Sequence, residues 1–533
     1  MTSKRWAESR WTAALVYAIC AIVITWPLAT SPDTLVAGGA RSDALNSIWN
    51  LWFAHRGVAR GELPIYTDLL DPPTGGRIAI ADPLNAVLGL PLVHVFGPVA
   101  AYAVLVVGHL WLAGFAAHLL GRRLGGGGWV AGFGFQWAPI LLSHVHNGSS
   151  EAVSAGMIPL ALLAVVEATE RGGLGRMAVA GFGLFVVAVS GWYAGVGAFF
   201  VVLCILLLGW EGVAHRQVVG RLLPALVLGL ALTAPLAIGV RSIAEAEDGL
   251  VDIKNPSELA RIRRTLGAAD PRVFVYPGEF RSPDLKHLEA NPSDRIHTAY
   301  LGFALVLLAI RHGRRRPYWL ATVGLIVLAM GPVVVIGGLP ANIRGHALPL
   351  PYSILELLPG FSSLSLLYRL ATVPALLLAV LADRARGRWA LLVLGEVLLV
   401  SPMRGLPDVS PVERPAPIVA LRDRPEGIVV NLPVLAGRNF LFEQTIHEKP
   451  VAGSLNSGMN RPGLRLLAAA RKVRAGELTT AELTNVAKRE GVRYVVFHKN
   501  TLMAETFVAS WTGIRRNFEA LGEDEDVAVY ELW

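Results

Sequence analysis

Cysteine is nearly absent from this 533-residue chain, and the two that occur, Cys20 and Cys204, both fall inside hydrophobic runs. A disulfide framework and a thiolate metal site are thereby excluded. Charge is scarce too, at 17% of residues against 53% hydrophobic, with a mean hydropathy of +0.49. That balance is too apolar for a water-soluble enzyme of this length. The glycine run Gly125 to Gly128 follows an apolar stretch, not a strand, and no Lys-Ser/Thr comes after it. It reads as a tight turn or a close helix contact, not a phosphate loop, and no nucleotide cofactor is expected. The formal net charge is +8, but the arginines collect in short loops between apolar runs, as membrane topology requires. No nucleic-acid partner is needed to explain them.

What is present is a series of apolar runs near 11–29, 98–120, 126–143, 152–170, 176–191, 194–211, 220–240, 299–311, 317–336, 364–383 and 387–402. A span needs about 20 apolar residues, so the expected fold is a mostly α, polytopic membrane helix bundle of about eleven transmembrane helices. Lys4, Arg5 and Arg10 precede the first run, and no small-residue cleavage site follows it, which predicts an uncleaved helix running from inside to outside. With that orientation the basic clusters at 122–123, 171–176, 215–221, 311–316 and 384–388 all fall on the cytoplasmic side. The stretch 83–97 is short and broken by Pro91, and is placed as an interfacial or re-entrant helix. The segment 42–60 carries Trp49, Trp52 and Phe53 at helical spacing, which predicts a helix lying in the membrane surface. The expected division is a membrane domain over 1–402, with outer loops at 30–97 and 241–298, and a small extracytoplasmic α/β domain over 403–533. Strand-like runs at 427–432, 492–497 and 527–532 mark that domain, as does the capping box Thr479-Thr480-Ala481-Glu482 with Gly491 closing its helix.

Asp43 is the acid placed just after the first hydrophobic run, at the head of the Trp-rich helix. It serves either as a helix cap or as a site carboxylate. Asp82, ahead of Pro83, is a second candidate acid or another cap, while Asp68 and Asp71 shape a turn. The run from His144 through His146, Asn147 and Ser149 to Glu151 gathers imidazoles, an amide and an acid at an outer junction. It could contact a substrate, bind a divalent metal or cap the next helix, although its spacing matches no zinc signature. Glu396 and His109 sit near the middle of apolar runs, where a carrier would place proton-coupling groups and a bundle would bury hydrogen-bonded ones.

The chain resembles the GT-C superfamily of membrane glycosyltransferases, and more narrowly the YfhO-like and uncharacterised bacterial GT-C-like membrane proteins. The residues that carry the resemblance are 42–52, the turn 71–76, 144–151, Ser190-Gly191-Trp192-Tyr193, and 358–364 leading to Arg369. The resemblance implies transfer of a sugar from a polyprenyl-phosphate donor to an envelope glycan, lipid or protein acceptor. The reaction would take place on the outer face of a bacterial inner membrane, usually with inversion. It makes Asp43 the base, or the ligand of a divalent metal such as Mg or Mn, with Asp82 as the second catalytic candidate. Arg369, Arg344 and Arg241, at outer ends of spans, are candidates to hold the departing phosphate, since a guanidinium can grip phosphate bidentately. His144, His146, Glu151, Trp192 and Tyr193 would contact the substrate. Two other readings stay open: a glycolipid transporter or flippase, and a non-catalytic scaffold for envelope assembly.

Overall fold

The computed structural model describes residues 3–39, 42–80, 82–149, 153–250, 267–277, 296–337, 339–358, 360–385, 387–400, 406–433, 439–453, 460–499 and 505–533. Glu151 lies outside them. The protein is mostly helical, and its contacts divide it into two units. One comprises 1–44, 81–239 and 255–410, the other 45–80, 240–254 and 411–533.

In the first unit the apolar runs become helices. They are α1 (Ser3–Ile24), α3 (Pro83–Arg123), α4 (Trp129–Gln136), α5 (Pro139–His146), α6 (Met157–Arg171), α7 (Leu174–Ser190), α8 (Trp192–Leu208), most of α9 (His215–Glu245), α10 (Phe303–His312), α11 (Arg316–Ala329), α12 (Thr372–Ala382) and α13 (Trp389–Val400); α2 (Ala44–Ala59) belongs, from Leu45 on, to the second unit. The stretch 83–97 is continuous with the run behind it, and α3 is broken only at Gly97, whose φ of 79° and ψ of 168° precede Pro98. Helix α3 packs against α1, α4 and α6, and α12 against α4, α10 and α11. Every residue of α12 is buried, as its all-round apolar sequence demands.

Helix α9 behaves oppositely. It too carries a long apolar run, yet it exposes Leu223, Val227, Leu230, Leu232, Leu236 and Ile238. Among the described residues α3 and α9 are long and apolar enough to cross a membrane, and further apolar helices of 10–17 residues accompany them.

Polar residues in the apolar runs have structural partners. Asp383 accepts from the backbone N–H groups of Gly128 (2.7 Å) and Ala131 (3.0 Å), so the glycine run is a turn held against a carboxylate at the start of α4. Glu396 accepts from the N–H groups of Phe303 (2.5 Å) and Ala304 (2.7 Å) and from the Tyr300 hydroxyl. A carboxylate from α13 therefore caps the orphan donors of α10. His109 Nε2 bonds Asn85 Oδ1 at 2.7 Å.

In the second unit β1 (Ile428–Leu432), β2 (Val492–His498), β3 (Ala520–Glu523) and β4 (Val527–Glu531) form a sheet of order β3-β4-β2-β1. Strand β2 is parallel to β1 and antiparallel to β4. These strands coincide with the three runs read from sequence, plus β3. One face of the sheet buries Ile428, Val430, Leu432 and Val495 with helices α16 (Arg461–Arg474), α17 (Thr480–Glu490) and α18 (Glu505–Arg515). The other buries Val429, Val496, Val527 and Val529 beside α14 (Ala416–Leu421) and α15 (Asn439–His447). The capping box is formed: Thr479 accepts from the Glu482 N–H, and Glu482 accepts from the Thr479 N–H at 2.7 Å.

The aromatic stripe of α2 (Ala44–Ala59), read from sequence as facing the membrane surface, is buried instead. Trp49, Trp52 and Phe53 pack with Leu69, Leu70, Ile78, Leu250 and Leu441. The Trp49 indole N–H donates to Gln444 Oε1 at 2.7 Å, and Arg56 pairs with Glu448 at 2.6 Å. The interfacial pattern and the core pattern have the same helical period, so periodicity alone cannot tell them apart.

Candidate functional site

Helix α5 ends at His146, and the chain turns through Asn147, Gly148 and Ser149. Gly148 is required there. Its φ is +68°, and a Cβ would lie 2.4 Å from the Ala44 backbone nitrogen and 2.6 Å from Ser42 Oγ. The turn therefore lies directly against 42–44, and the Asp43 N–H donates to the Asn147 carbonyl at 3.1 Å. Ser42 Oγ, meanwhile, accepts from the Ala44 N–H at 3.3 Å.

The opposite end of the turn meets Arg369. Its Nη2 donates to Ser149 Oγ at 3.3 Å, and its guanidinium lies 5.9 Å from the centre of the Tyr193 ring. Tyr193, in the first turn of α8, accepts on its hydroxyl from the N–H groups of Ser365 (3.1 Å) and Leu366 (2.8 Å). The aromatic ring thus positions the segment that delivers the arginine.

Two further groups close the cluster. The Asn147 side chain pairs with Ile296 in both directions, donating at 2.7 Å and accepting at 2.9 Å. This brings in His297, whose Nδ1 bonds the Tyr368 hydroxyl at 2.9 Å. His144 sits beside Tyr368, with ring centres 6.3 Å apart. It is 1% exposed, and neither of its ring nitrogens has a hydrogen-bond partner. An imidazole buried with both nitrogens unsatisfied costs free energy that a ligand could recover.

Of the residues singled out from sequence, Asp43, His144, Tyr193 and Arg369 meet around this turn, and Trp192 adjoins Tyr193 as the first residue of α8. His146 is drawn elsewhere: its Nδ1 accepts from the Asp408 N–H at 3.3 Å, next to the bridge between Gly38 and Val409. Asp82 caps α3, accepting from the Asn85 backbone at 3.2 Å and side chain at 2.6 Å. Arg241 pairs with Glu245 one turn along α9 at 2.8 Å. Arg344 is exposed at a hairpin turn, with φ of 51°. Sequence reasoning missed His297 and Tyr368. The signal available was weak: an aromatic beside the arginine, and a histidine just ahead of an apolar run.

Among the described residues no group of three or more His, Cys, Asp or Glu side chains converges as an ion would need.

No protein-family model matches the sequence, and no curated protein matches it. Solved structures do match in shape. The arabinofuranosyltransferase AftD from Mycobacteria aligns with TM-score 0.53 and 14% identity, over 100% of this chain and 42% of its own. The oligosaccharyltransferase AglB from Archaeoglobus fulgidus aligns with TM-score 0.51 and 12% identity, over 92% of this chain and 69% of its own. ArnT from Cupriavidus metallidurans, in its apo state, aligns with TM-score 0.50 and 12% identity, over 99% of this chain and 98% of its own. The chain shares its fold with these proteins. At such identities the likeness concerns the fold alone, and this chain spans less than half the length of AftD. Within that shared fold, function has to be argued from the cluster around the turn 147–149.

Proposed function

We propose that the protein is an integral membrane glycosyltransferase that moves a sugar from a polyprenyl-phosphate donor to a cell-envelope acceptor. Asp43 and Arg369 meet the same short turn, one through the Asn147 carbonyl and the other through the Ser149 hydroxyl. That meeting of Asp43, by its backbone N–H, and of the Arg369 guanidinium on one turn carries the reading. The AglB neighbour holds a dolichol phosphate and an inhibitory peptide, which supports a lipid phosphate donor here. The exposed apolar face of α9 supports a lipid surrounding, since contiguous apolar surface of that extent is not left to water. Within the fold we place the chain nearest the YfhO-like proteins, with the reaction on the outer face of the inner membrane and the N-terminus cytoplasmic.

In the proposed reaction an acceptor hydroxyl attacks the anomeric carbon from the side opposite the phosphate. Asp43 takes the hydroxyl proton, the new C–O bond forms, the bond to phosphate oxygen breaks, and the polyprenyl phosphate leaves with inversion. Arg369 steadies the charge growing on the leaving phosphate. His144, with both nitrogens unpaired, supplies a hydrogen bond to the donor, and Tyr193 keeps Arg369 aimed. The two groups a carrier would need in its midplane, Glu396 and His109, already have partners within the bundle, so transport gains no support.

The test is transfer from radiolabelled polyprenyl-phosphate sugars to an envelope extract by purified protein in lipid vesicles, with Asp43→Asn alongside. The reading requires transfer by the wild type and its loss in a variant that still inserts and folds. Equal consumption of donor by both proteins would remove Asp43 from the mechanism.

A further inference from the structure

The sheet of the second unit breaks its own pattern at one edge. On the face shared with α14 and α15, β1 presents Val429 and then Asn431, and β2 presents Tyr494, Val496 and then His498. The register pairs Val496 with Asn431. The inward positions are apolar until the carboxyl ends of these two parallel strands, where both become polar and remain buried. Asn431 is 8% and His498 5% exposed. The carboxyl ends of parallel strands are where α/β sheets receive ligands. Glu443 of α15 enters the same corner at 4% exposure.

The three side chains converge on the imidazole. His498 Nε2 lies 3.2 Å from Asn431 Oδ1 and 3.5 Å from Glu443 Oε2. One N–H cannot satisfy both well, and atoms are left over: Glu443 Oε2 and Asn431 Nδ2 are buried with no hydrogen-bond partner. A purely structural polar trio should leave no such remainder. The separations have another meaning. Ligands about 2.0–2.1 Å from a tetrahedral ion stand about 3.3 Å from one another, and the two observed values bracket that figure.

We propose that Asn431 Oδ1, Glu443 Oε2 and His498 Nε2 form a site for one divalent transition-metal ion with mixed nitrogen and oxygen ligands, separate from the cluster around Asp43. The ion would take the unpaired carboxylate oxygen and turn the crowded imidazole contacts into bonds. The donor set of one imidazole, one carboxylate and one amide oxygen suits zinc or manganese, whereas calcium and magnesium favour all-oxygen shells.

The experiment uses the full-length protein in detergent, stripped with chelator and titrated with Co2+, whose visible absorption reports coordination. One Co2+ per chain should bind and be displaced by Zn2+. Glu443→Gln and His498→Gln should each weaken binding at least tenfold, while His346→Ala, at an exposed hairpin, should not. Copper or manganese bound to the wild type should show magnetic coupling to one imidazole nitrogen, a readout that survives if a variant fails to fold. No saturable cobalt band, binding equal in wild type and both variants, or bound metal without nitrogen coupling would each overturn the assignment.

Discussion

Tyr368 offers the cleanest test of a single atom in the cluster. Tyr368→Phe keeps the ring beside His144 and removes the hydroxyl bonded to His297, a loss of about 1 kcal/mol by ordinary hydrogen-bond values. Transfer should fall several-fold while the melting temperature moves little, as measured by initial rates and a thermal melt. Arg369→Lys should be harsher, lowering transfer at least tenfold. Lysine keeps the charge and loses the planar fork and its contact with the Tyr193 ring. His447 provides a pH handle away from the cluster. Burial first, and then Lys449, push it down to about 3, and its Nδ1 accepts from the Lys449 N–H at 3.0 Å. A histidine lowered in the folded state leaves stability intact above its unfolded pKa of about 6.5 and withdraws it as pH falls toward 3. His447→Asn, which keeps an acceptor, should flatten the fall in melting temperature between pH 6.5 and 4.

Among the elements, α3 and α9 were legible because a stretch of about 20 apolar residues matches the thickness of a bilayer core, whereas the other apolar helices are shorter than that. The capping box at Thr479 was equally legible, since its chemistry is local. Thr479→Ala should cost about 1 kcal/mol, seen in chemical denaturation of the full chain. The cluster was only half legible. Asp43, His144 and Arg369 stood out as polar residues at the ends of apolar runs, but His297 meets Tyr368 across 71 residues, a pairing that only tertiary packing decides. The same limit applies to α2, whose aromatic face fits a membrane surface and a protein core equally well by period. Gly148→Ala tests the element that joins the site. Its Cβ would strike the Ala44 backbone, so the turn and Asp43 should separate, with loss of transfer exceeding loss of stability.

For the whole molecule the lipid surrounding makes its own prediction. Leu230, on α9, is 49% exposed, and an arginine at a span centre costs about 2.5–3.5 kcal/mol on insertion scales. Leu230→Arg should lower the membrane-inserted fraction, whereas Leu230→Ala should leave it nearly unchanged, as read by alkaline extraction of membranes. The stretch from Ile296 to Ala304 is anchored to Asn147 at one end and to Glu396 of α13 at the other. A segment fixed at both ends to the bundle has no private unfolding route. Its amides should therefore exchange with solvent only as fast as the bundle itself opens, and whatever loosens the last apolar helix will set the lifetime of the contact between His297 and Tyr368.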